Sequence, residues 1–544
     1  MKWGVSEYMW RYKFGVAMVV IVVSSALTKL YFAETYVTYT DEILSAVVAG
    51  SISETGLPVL PSGAIYPRAP LHHYLLAIPV GLFGIEYLAM RINSVAFSIV
   101  TVIVVYLLGS RVMSRQAAVV CAMIVSVSSV VNQFALSGRM YMTYGAFYII
   151  SLYFFYEGFV KGKTVSRWLA LVFMAGTVLS SEAGVLLGVV FAGALIVYRE
   201  GGWSRRRIAY IGCGIWIVLV WLVLFYDIPG SFDPFTAHSG VPAPATINAQ
   251  MSLREIIVNM SYPWRALDRA LPFSMAFFLV MTILVISRRE VRRHYPLVVL
   301  VPALVTESLL TYRVQYRILI GLVPLYVLAC CQLVETSLRW MTEFRHKCEG
   351  SGVGSTSRAA WFFLCGRVGS ITMAVAAYAL FFTVIAYTNN VRGARDLGPY
   401  VYSGFGYRDA RAGRNVEPSY EYLGGHIRPD DVVVVTTVEY ALIFLGEVYD
   451  YYYLRQKLND AEGSRMFVPF ERDRDPYYGR PIIDSVKKFR NLLDTSARPV
   501  WVVADHKIDS YVGRELSRMI GAEFELMFDD YERNRSRVYR RKRA

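Results

Sequence analysis

The 544-residue chain is 55% hydrophobic, only 18% charged and has a mean hydropathy of +0.38, a balance that water-soluble proteins of this size rarely show, so most of it has to sit in lipid. Its net charge of +14 would suggest nucleic acid as the partner of a soluble protein. Here many lysines and arginines fall in short turns between apolar runs, where they orient the chain in a bilayer, so the expected partners are membrane lipids and not nucleic acid.

Apolar runs recur at residues 14–33, 92–109, 117–135, 142–160, 169–180, 183–198, 208–226, 271–287, 295–311, 318–334 and 368–387. They predict a polytopic α-helical protein with about eleven transmembrane helices over residues 1–390, followed by a soluble α/β domain over 391–544. The first run follows Lys2, Arg11 and Lys13, lacks a small-residue cleavage pattern and is long enough to span. It reads as an uncleaved anchor. With the N-terminus in the cytoplasm, the basic turns around Arg111 and Arg115, Lys161 and Lys163, 205–207, 288–293 and 345–347 all face one side of the plasma (inner) membrane. All six cysteines (Cys121, Cys213, Cys330, Cys331, Cys348 and Cys365) lie in these runs or in one cytoplasmic loop, so no disulfide is implied.

The extracytoplasmic face then receives the loops 34–90 and 227–270 and everything after Tyr387. Within the first loop, residues 71–88 are apolar but hold His72, His73, Pro79, Gly84 and Glu86, which suits an interfacial or re-entrant helix better than a full span. Segment 350–357 (GSGVGSTS) reads as a flexible linker. In the tail, 431–437 and 499–505 are short and β-branched, as buried strands are, and helical patterns cover 482–493 and 511–520.

The adjacent acids Asp41 and Glu42 stand just past the first run, after Thr40. They are either a solvated helix start, capped by Thr40 and favoured by the helix dipole, or a general base at the membrane face in which one carboxylate takes a proton and the other positions it. Next comes Tyr66-Pro67-Arg68-Ala69-Pro70, a stiff segment in which the flanking prolines restrict Arg68. A fixed guanidinium beside the bilayer suits a lipid phosphate, and it suits an interfacial anchor equally. Arg313 and Arg317, in the short turn 312–317, run against the positive-inside bias, and Arg139 lies in another brief turn of the same face. These arginines would either cradle an anionic donor or neutralise nearby acids such as Glu307.

Other signals are weaker. His72-His73 would point about 100° apart on a helix, with no third ligand at metal spacing. His238 lies in a Pro/Gly/Ala-rich loop, either an active-site flap or plain surface. Asp473-Arg474-Asp475 matches an Asp-x-Asp pattern but reads as a solvated loop. Tyr449 and Tyr451 to Tyr453 would stack on sugars or pack at the interface, and the basic tail 533–543 would contact anionic headgroups.

Together these parts resemble the GT-C membrane glycosyltransferases, in the branch of the protein O-mannosyltransferases and the lipid A aminoarabinose transferase. The resemblance rests on the acidic pair after the first span, the Tyr66 to Pro70 segment opening an interfacial helix, Met90-Arg91-Ile92-Asn93-Ser94 leading into Val105 to Gly109, and the span start RILIGLVP from Arg317 to Pro324. It implies a polyprenyl-phosphate sugar donor, an extracytoplasmic active site and inversion at the anomeric carbon. Asp41 would match the catalytic position with Glu42 its partner, and Tyr66, Arg68, Arg139, Arg313 and Arg317 would hold the donor phosphate. The acceptor would be a hydroxyl of a lipid, glycan or protein; the residues name no cofactor with certainty, and a divalent metal is left open. Two departures, Arg139-Met140-Tyr141 without the acid many relatives carry and Ser181-Glu182-Ala183-Gly184 in place of Thr-Lys-Gly, point to a different acceptor or sugar.

The alternative is a transporter or flippase of lipid-linked glycans. The sequence shows neither an internal repeat nor a charge cluster within the spans, both frequent in transporters.

Overall fold

A computed structural model describes residues 4–35, 40–198, 210, 212, 214, 274–310, 318–350, 416–446, 450–454, 474–475, 477–505, 514–531 and 536–542. The loop 227–270, the last expected span 368–387, most of the expected span 208–226, Arg313, Arg317, His238 and the domain boundary at 390 lie outside the described residues.

The first part is helical: α1 (Gly4–Thr35), α2 (Thr40–Thr55), α3 (Pro70–Phe83), α4 (Tyr87–Val112), α5 (Arg115–Val127), α6 (Ser129–Ala135), α7 (Tyr141–Phe155), α8 (Thr164–Ser180), α9 (Leu186–Val197), α10 (Ser274–Ser287), α11 (Tyr295–Leu310) and α12 (Leu322–Gly350). Among the described residues, Phe14–Glu34, Tyr87–Val112 and Leu322–Glu343 are long and apolar enough to cross a bilayer, and the other apolar helices are shorter. The expected total of about eleven full spans is therefore not established. The run expected at 117–135 divides at Ser128 into α5 and α6, and the run expected at 142–160 ends in a wide turn at Tyr156–Val160. Gly158 fits that turn because a Cβ there would lie 2.6 Å from the Arg167 amide nitrogen.

One end of the bundle collects the basic turns. Glu157 pairs with Arg111 (3.1 Å) and with Lys163, and Arg339 pairs with Glu290 at 3.2 Å. The Gln332 amide donates to Val112 O and Arg293 O, both at 2.9 Å. These bonds gather the turns at 111–115, 161–163 and 288–293.

The other end carries α2, a tight hairpin and α3. In the hairpin Tyr66 N–H donates to Pro58 O and Leu60 N–H to Ala64 O, each at 2.8 Å. Helix α3 buries His72, His73, Leu76 and Val80 while exposing Tyr74, Ile78 and Leu82 along one stripe. An apolar stripe spaced by four residues beside polar chain is the pattern of a helix lying at a membrane surface.

The C-terminal domain is a six-stranded mixed sheet: β1 (Val432–Val435), β2 (Asp450–Leu454), β3 (Ile482–Ile483), β4 (Val500–Ala504), β5 (Phe524–Asp529) and β6 (Arg537–Arg541), in the order β3-β2-β1-β4-β6-β5. β3, β2, β1 and β4 run parallel, and β6 and β5 are antiparallel. β1 and β4 are buried along their whole length, as covered parallel strands are. Val432 and Val434 face α15 (Val486–Thr495) and α16 (Arg514–Glu523), through Phe489, Leu493, Leu516 and Ile520. Val433 and Val435 face α13 (Glu417–Gly424) and α14 (Val438–Leu445), in a core that also takes in Ile43 of α2.

Several expectations change here. The helix expected over 482–493 starts as a strand and becomes helical at Val486, because Ser485 caps it by accepting from Lys488 N–H at 3.3 Å. Tyr451 neither stacks on sugar nor lies at the interface: it is buried in β2 with its hydroxyl on Gly446 O at 2.5 Å. Residues Arg537–Arg541 of the basic tail form β6, and the three arginines of this strand make contacts within the domain. Arg537 donates to Asp529 (3.0 Å), Arg540 lies 5.1 Å over Trp501 and Arg541 donates to Leu493 O. Asp475 is buried and not solvated, accepting from the Tyr477 and Tyr478 amides at 3.2 and 2.7 Å. Asp473 and Tyr449 lie outside the described residues.

Ile43 is fully buried between the two parts. Ile43→Ala is expected to cost about 2–5 kcal/mol at that junction, read as a lower thermal midpoint in detergent and faster proteolysis of the 416–542 region.

Candidate active site

The acidic pair opens α2, and its two members go opposite ways. Glu42 and Arg91 have no exposed side-chain surface and pair directly, Nε to Oε1 at 3.1 Å and NH2 to Oε2 at 3.0 Å. The third face of the guanidinium donates to Ala33 O at 2.6 Å, and Glu42 Oε1 also accepts from the Gly138 amide. One carboxylate thereby joins the end of α1, the start of α2, the start of α4 and the turn before α7. Gly138 must be glycine: a Cβ would meet Met90 O at 2.6 Å.

Asp41 faces outward, with 47% of its side chain exposed, and its carboxylate lies 3.5 Å from Arg139 NH2. Arg139 NH1 donates to Asp41 O (2.8 Å) and to Ser45 Oγ (2.9 Å). Its Nε is buried with no hydrogen-bond partner among the described residues.

Arg68 stands at the mouth of α3, where Ala69 takes a left-handed conformation (φ 46°) and Pro70 starts the helix. The carbonyls of Arg68 and Ala69 both accept from His73 Nδ1, at 2.9 and 3.0 Å. A carbonyl only accepts, so His73 carries its proton on Nδ1 and leaves Nε2 a bare lone pair. Tyr66 packs edge-on against His73, ring centroids 5.3 Å apart, and His72 Nδ1 meets Thr143 Oγ1 at 3.2 Å.

Burial, then the charge of Arg139, then that of Arg68 push the His73 imidazole down to about 3. Burial, His73 and Arg139 hold His72 well below its usual range. Both rings are neutral, and neither Nε2 has a hydrogen-bond partner among the described residues. Buried polar atoms without partners are few in native proteins and gather where a ligand supplies the bond.

Of the residues singled out from sequence, the fold brings Asp41, Arg139, Tyr66 and Arg68 into one electrostatic neighbourhood, with Tyr141. Arg313 and Arg317 lie outside the described residues. Sequence reasoning did not assign a role to Arg91, whose signal was an arginine in the first turn of an otherwise apolar helix, nor to Ser45 and Gly138. Among the described residues no three His, Cys, Asp or Glu side chains converge as metal ligands.

Breaking the buried pair is expected to be severe. Glu42→Gln should cost about 3–5 kcal/mol, because Arg91 is left charged and unpaired, and Gly138→Ala should be destabilising through backbone overlap. Thermal unfolding of the purified chain in detergent measures both.

Residues 67–226 match the family model described as dolichyl-phosphate-mannose-protein mannosyltransferase; Asp41 and Glu42 precede that segment. An uncharacterized protein of Aquifex aeolicus (strain VF5) is 27% identical over 157 residues, 25% of this chain and 32% of that protein, so the match spans about a third of that relative's length. The solved structures of ArnT from Cupriavidus metallidurans, apo and bound to undecaprenyl phosphate, share the fold with a TM-score of 0.59 at 12% and 13% identity. They cover 97% and 96% of this chain and 98% and 97% of theirs. AglB from Archaeoglobus fulgidus, in complex with an inhibitory peptide and a dolichol-phosphate, matches at a TM-score of 0.50 and 12% identity, over 90% of this chain and 70% of its own. The resemblance read from the motifs is borne out as far as these matches reach: this is a multi-span membrane protein with the fold of ArnT, and its residues 67–226 match the model described as dolichyl-phosphate-mannose-protein mannosyltransferase.

Proposed function

We propose that the chain is an inverting glycosyltransferase that moves a single sugar from a polyprenyl-phosphate donor to a hydroxyl of a lipid, glycan or protein acceptor at the extracytoplasmic face. The observation that carries this reading is the junction at the top of α2. A half-exposed carboxylate, Asp41, is held against a buried arginine, Arg139, beside a second arginine, Arg68, at the rim of a surface-lying helix.

In the reaction the acceptor O–H gives its proton to the Asp41 carboxylate as its oxygen attacks the anomeric carbon. The bond from that carbon to the phosphate oxygen breaks, and the polyprenyl phosphate leaves with the electron pair. Phosphate is already a good leaving group, so the acceptor needs the base more than the donor needs an acid. The growing negative charge falls to Arg68 and Arg139, with Arg313 and Arg317 as further candidates, in a site where burial strengthens each interaction. Tyr66 shapes that pocket through its contact with His73. The exposed stripe Tyr74, Ile78, Leu82 lies where the prenyl tail would enter from lipid. One displacement without a covalent intermediate inverts the anomeric centre, unlike the double displacement of retaining enzymes.

The donor and acceptor are named by mass spectrometry of lipid and protein glycans from cells with and without the chain, where a single missing sugar is expected. With that pair in hand, Asp41→Asn should lower transfer at least about a hundredfold while donor binding stays the same, and full activity in that variant removes the base. Arg68→Ala should raise the apparent donor KM by about tenfold or more, as loss of a charged hydrogen bond does; an unchanged donor KM makes Arg68 an anchor only.

A further inference from the structure

Helix α3 opens on a strained turn. Ala69 holds φ 46°, a left-handed conformation that is unfavourable for alanine, and Pro70 begins the helix directly behind it. His73 keeps that turn in place. Its backbone N–H donates to Ala69 O at 3.2 Å, and its Nδ1–H is shared between Arg68 O at 2.9 Å and Ala69 O at 3.0 Å. One edge of the ring is thereby bonded to the segment that carries Arg68, and the rings of Tyr66 and His72 stand edge-on to it at 5.3 and 5.1 Å.

The other edge of the ring is left over. His73 is 1% exposed, and its Nε2 has no hydrogen-bond partner among the described residues. Holding the turn uses only Nδ1. An asparagine amide reaches about as far and would serve the same two carbonyls. What histidine adds is a buried acceptor on the far side. The ring stays neutral, since burial and then the charges of Arg139 and Arg68 push its titration down to about 3, so Nε2 remains a lone pair.

That lone pair accepts and cannot donate. The oxygens of a phosphate diester also only accept, so they do not fit against it, whereas an O–H does. In a polyprenyl-phosphate sugar the tail is hydrocarbon and the phosphate is a diester, which leaves the sugar as the part that carries O–H groups. The place of the ring points to the same part. It is bonded to the backbone of Arg68, the residue assigned to the phosphate, and the sugar is joined to that phosphate through its anomeric carbon. The neighbouring His72 meets Thr143 Oγ1 at 3.2 Å, in the first turn of α7 and four residues beyond Arg139. The two imidazoles therefore bridge the chain segments that bear the two arginines.

We infer that His73 Nε2 is a specificity-determining acceptor for a hydroxyl of the transferred sugar, set beside the phosphate held at Arg68. The inference rests on the donor-binding reading of this site and names the part of the donor that the chain reads.

His73→Asn keeps a donor for the two carbonyls and deletes Nε2. The probes are undecaprenyl phosphate and its ester with the sugar named by the glycan comparison, bound to the purified full-length chain in detergent. His73→Asn should bind undecaprenyl phosphate within about twofold of the unaltered chain and the sugar ester about tenfold more weakly, with no drop in thermal midpoint. His73→Gln, whose amide oxygen reaches the position of Nε2, should recover most of that loss. Among donor analogues lacking one sugar hydroxyl at a time, one should bind the unaltered chain about tenfold more weakly than the intact donor, and His73→Asn should bind those two alike. Equal weakening of both probes makes His73 a brace of the turn and overturns the inference. So does a change confined to the acceptor KM, unchanged binding of the sugar ester, or a series in which His73→Asn erases no difference. An unaltered chain that binds neither probe overturns the donor reading itself.

Discussion

The structure hangs on a charge pair with no exposure to water, Glu42 with Arg91. Removing two ions from water is costly, and their attraction offsets that cost only when every remaining donor and lone pair is also used. Here three of the N–H groups of Arg91 are engaged, two on Glu42 and one on Ala33 O, and Glu42 also takes the Gly138 amide. The pair is therefore worth more as a specifier of geometry than as a source of stability. Four chain segments, far apart in sequence, can meet in only one arrangement that leaves neither charge alone.

From that anchor the rest of the site follows by helix geometry. Consecutive residues on a helix point about 100° apart, and residues 41 to 43 use the whole turn. Asp41 points outward, Glu42 into the bundle and Ile43 into the core of the C-terminal domain. A single helical turn thus joins the proposed base to the membrane part and to the soluble part at once. Strain or slack at either junction reaches Asp41 directly, since no flexible linker intervenes.

Much of this was legible in the sequence, and the limits have physical causes. Apolar runs located the helices because lipid demands them, and β1 and β4 showed as short valine runs because both their faces are covered. The acidic pair and the Tyr66 to Pro70 segment marked the site because acids and a proline-locked arginine beside a bilayer are costly without a purpose. What periodicity cannot show is which of two adjacent acids is buried, as that depends on an arginine about fifty positions later. Nor can it show that Tyr478, in a charged and aromatic stretch, is carried into the core that holds Ile43 by a turn built on Asp475. Tyr451 was misread for the same reason: alone, a tyrosine cluster looks interfacial, and only strand pairing reveals what it packs against.

The departure at Arg139-Met140-Tyr141 fits the chemistry better once the neighbours are known. In place of an acid, position 141 holds a buried tyrosine packed against Phe134, ring centroids 5.2 Å apart. Arg139 is then not neutralised within its own turn, and the carboxylate acting on it is that of Asp41. An arginine with a partner acid two residues away would hold that partner through the whole cycle. One whose counter-charge is the base, at 3.5 Å, can be drawn off by a phosphate without leaving a second carboxylate unpaired. On the proposed reading, Arg139 would be a group shared between the base and the leaving group rather than a strut fixed within its own turn.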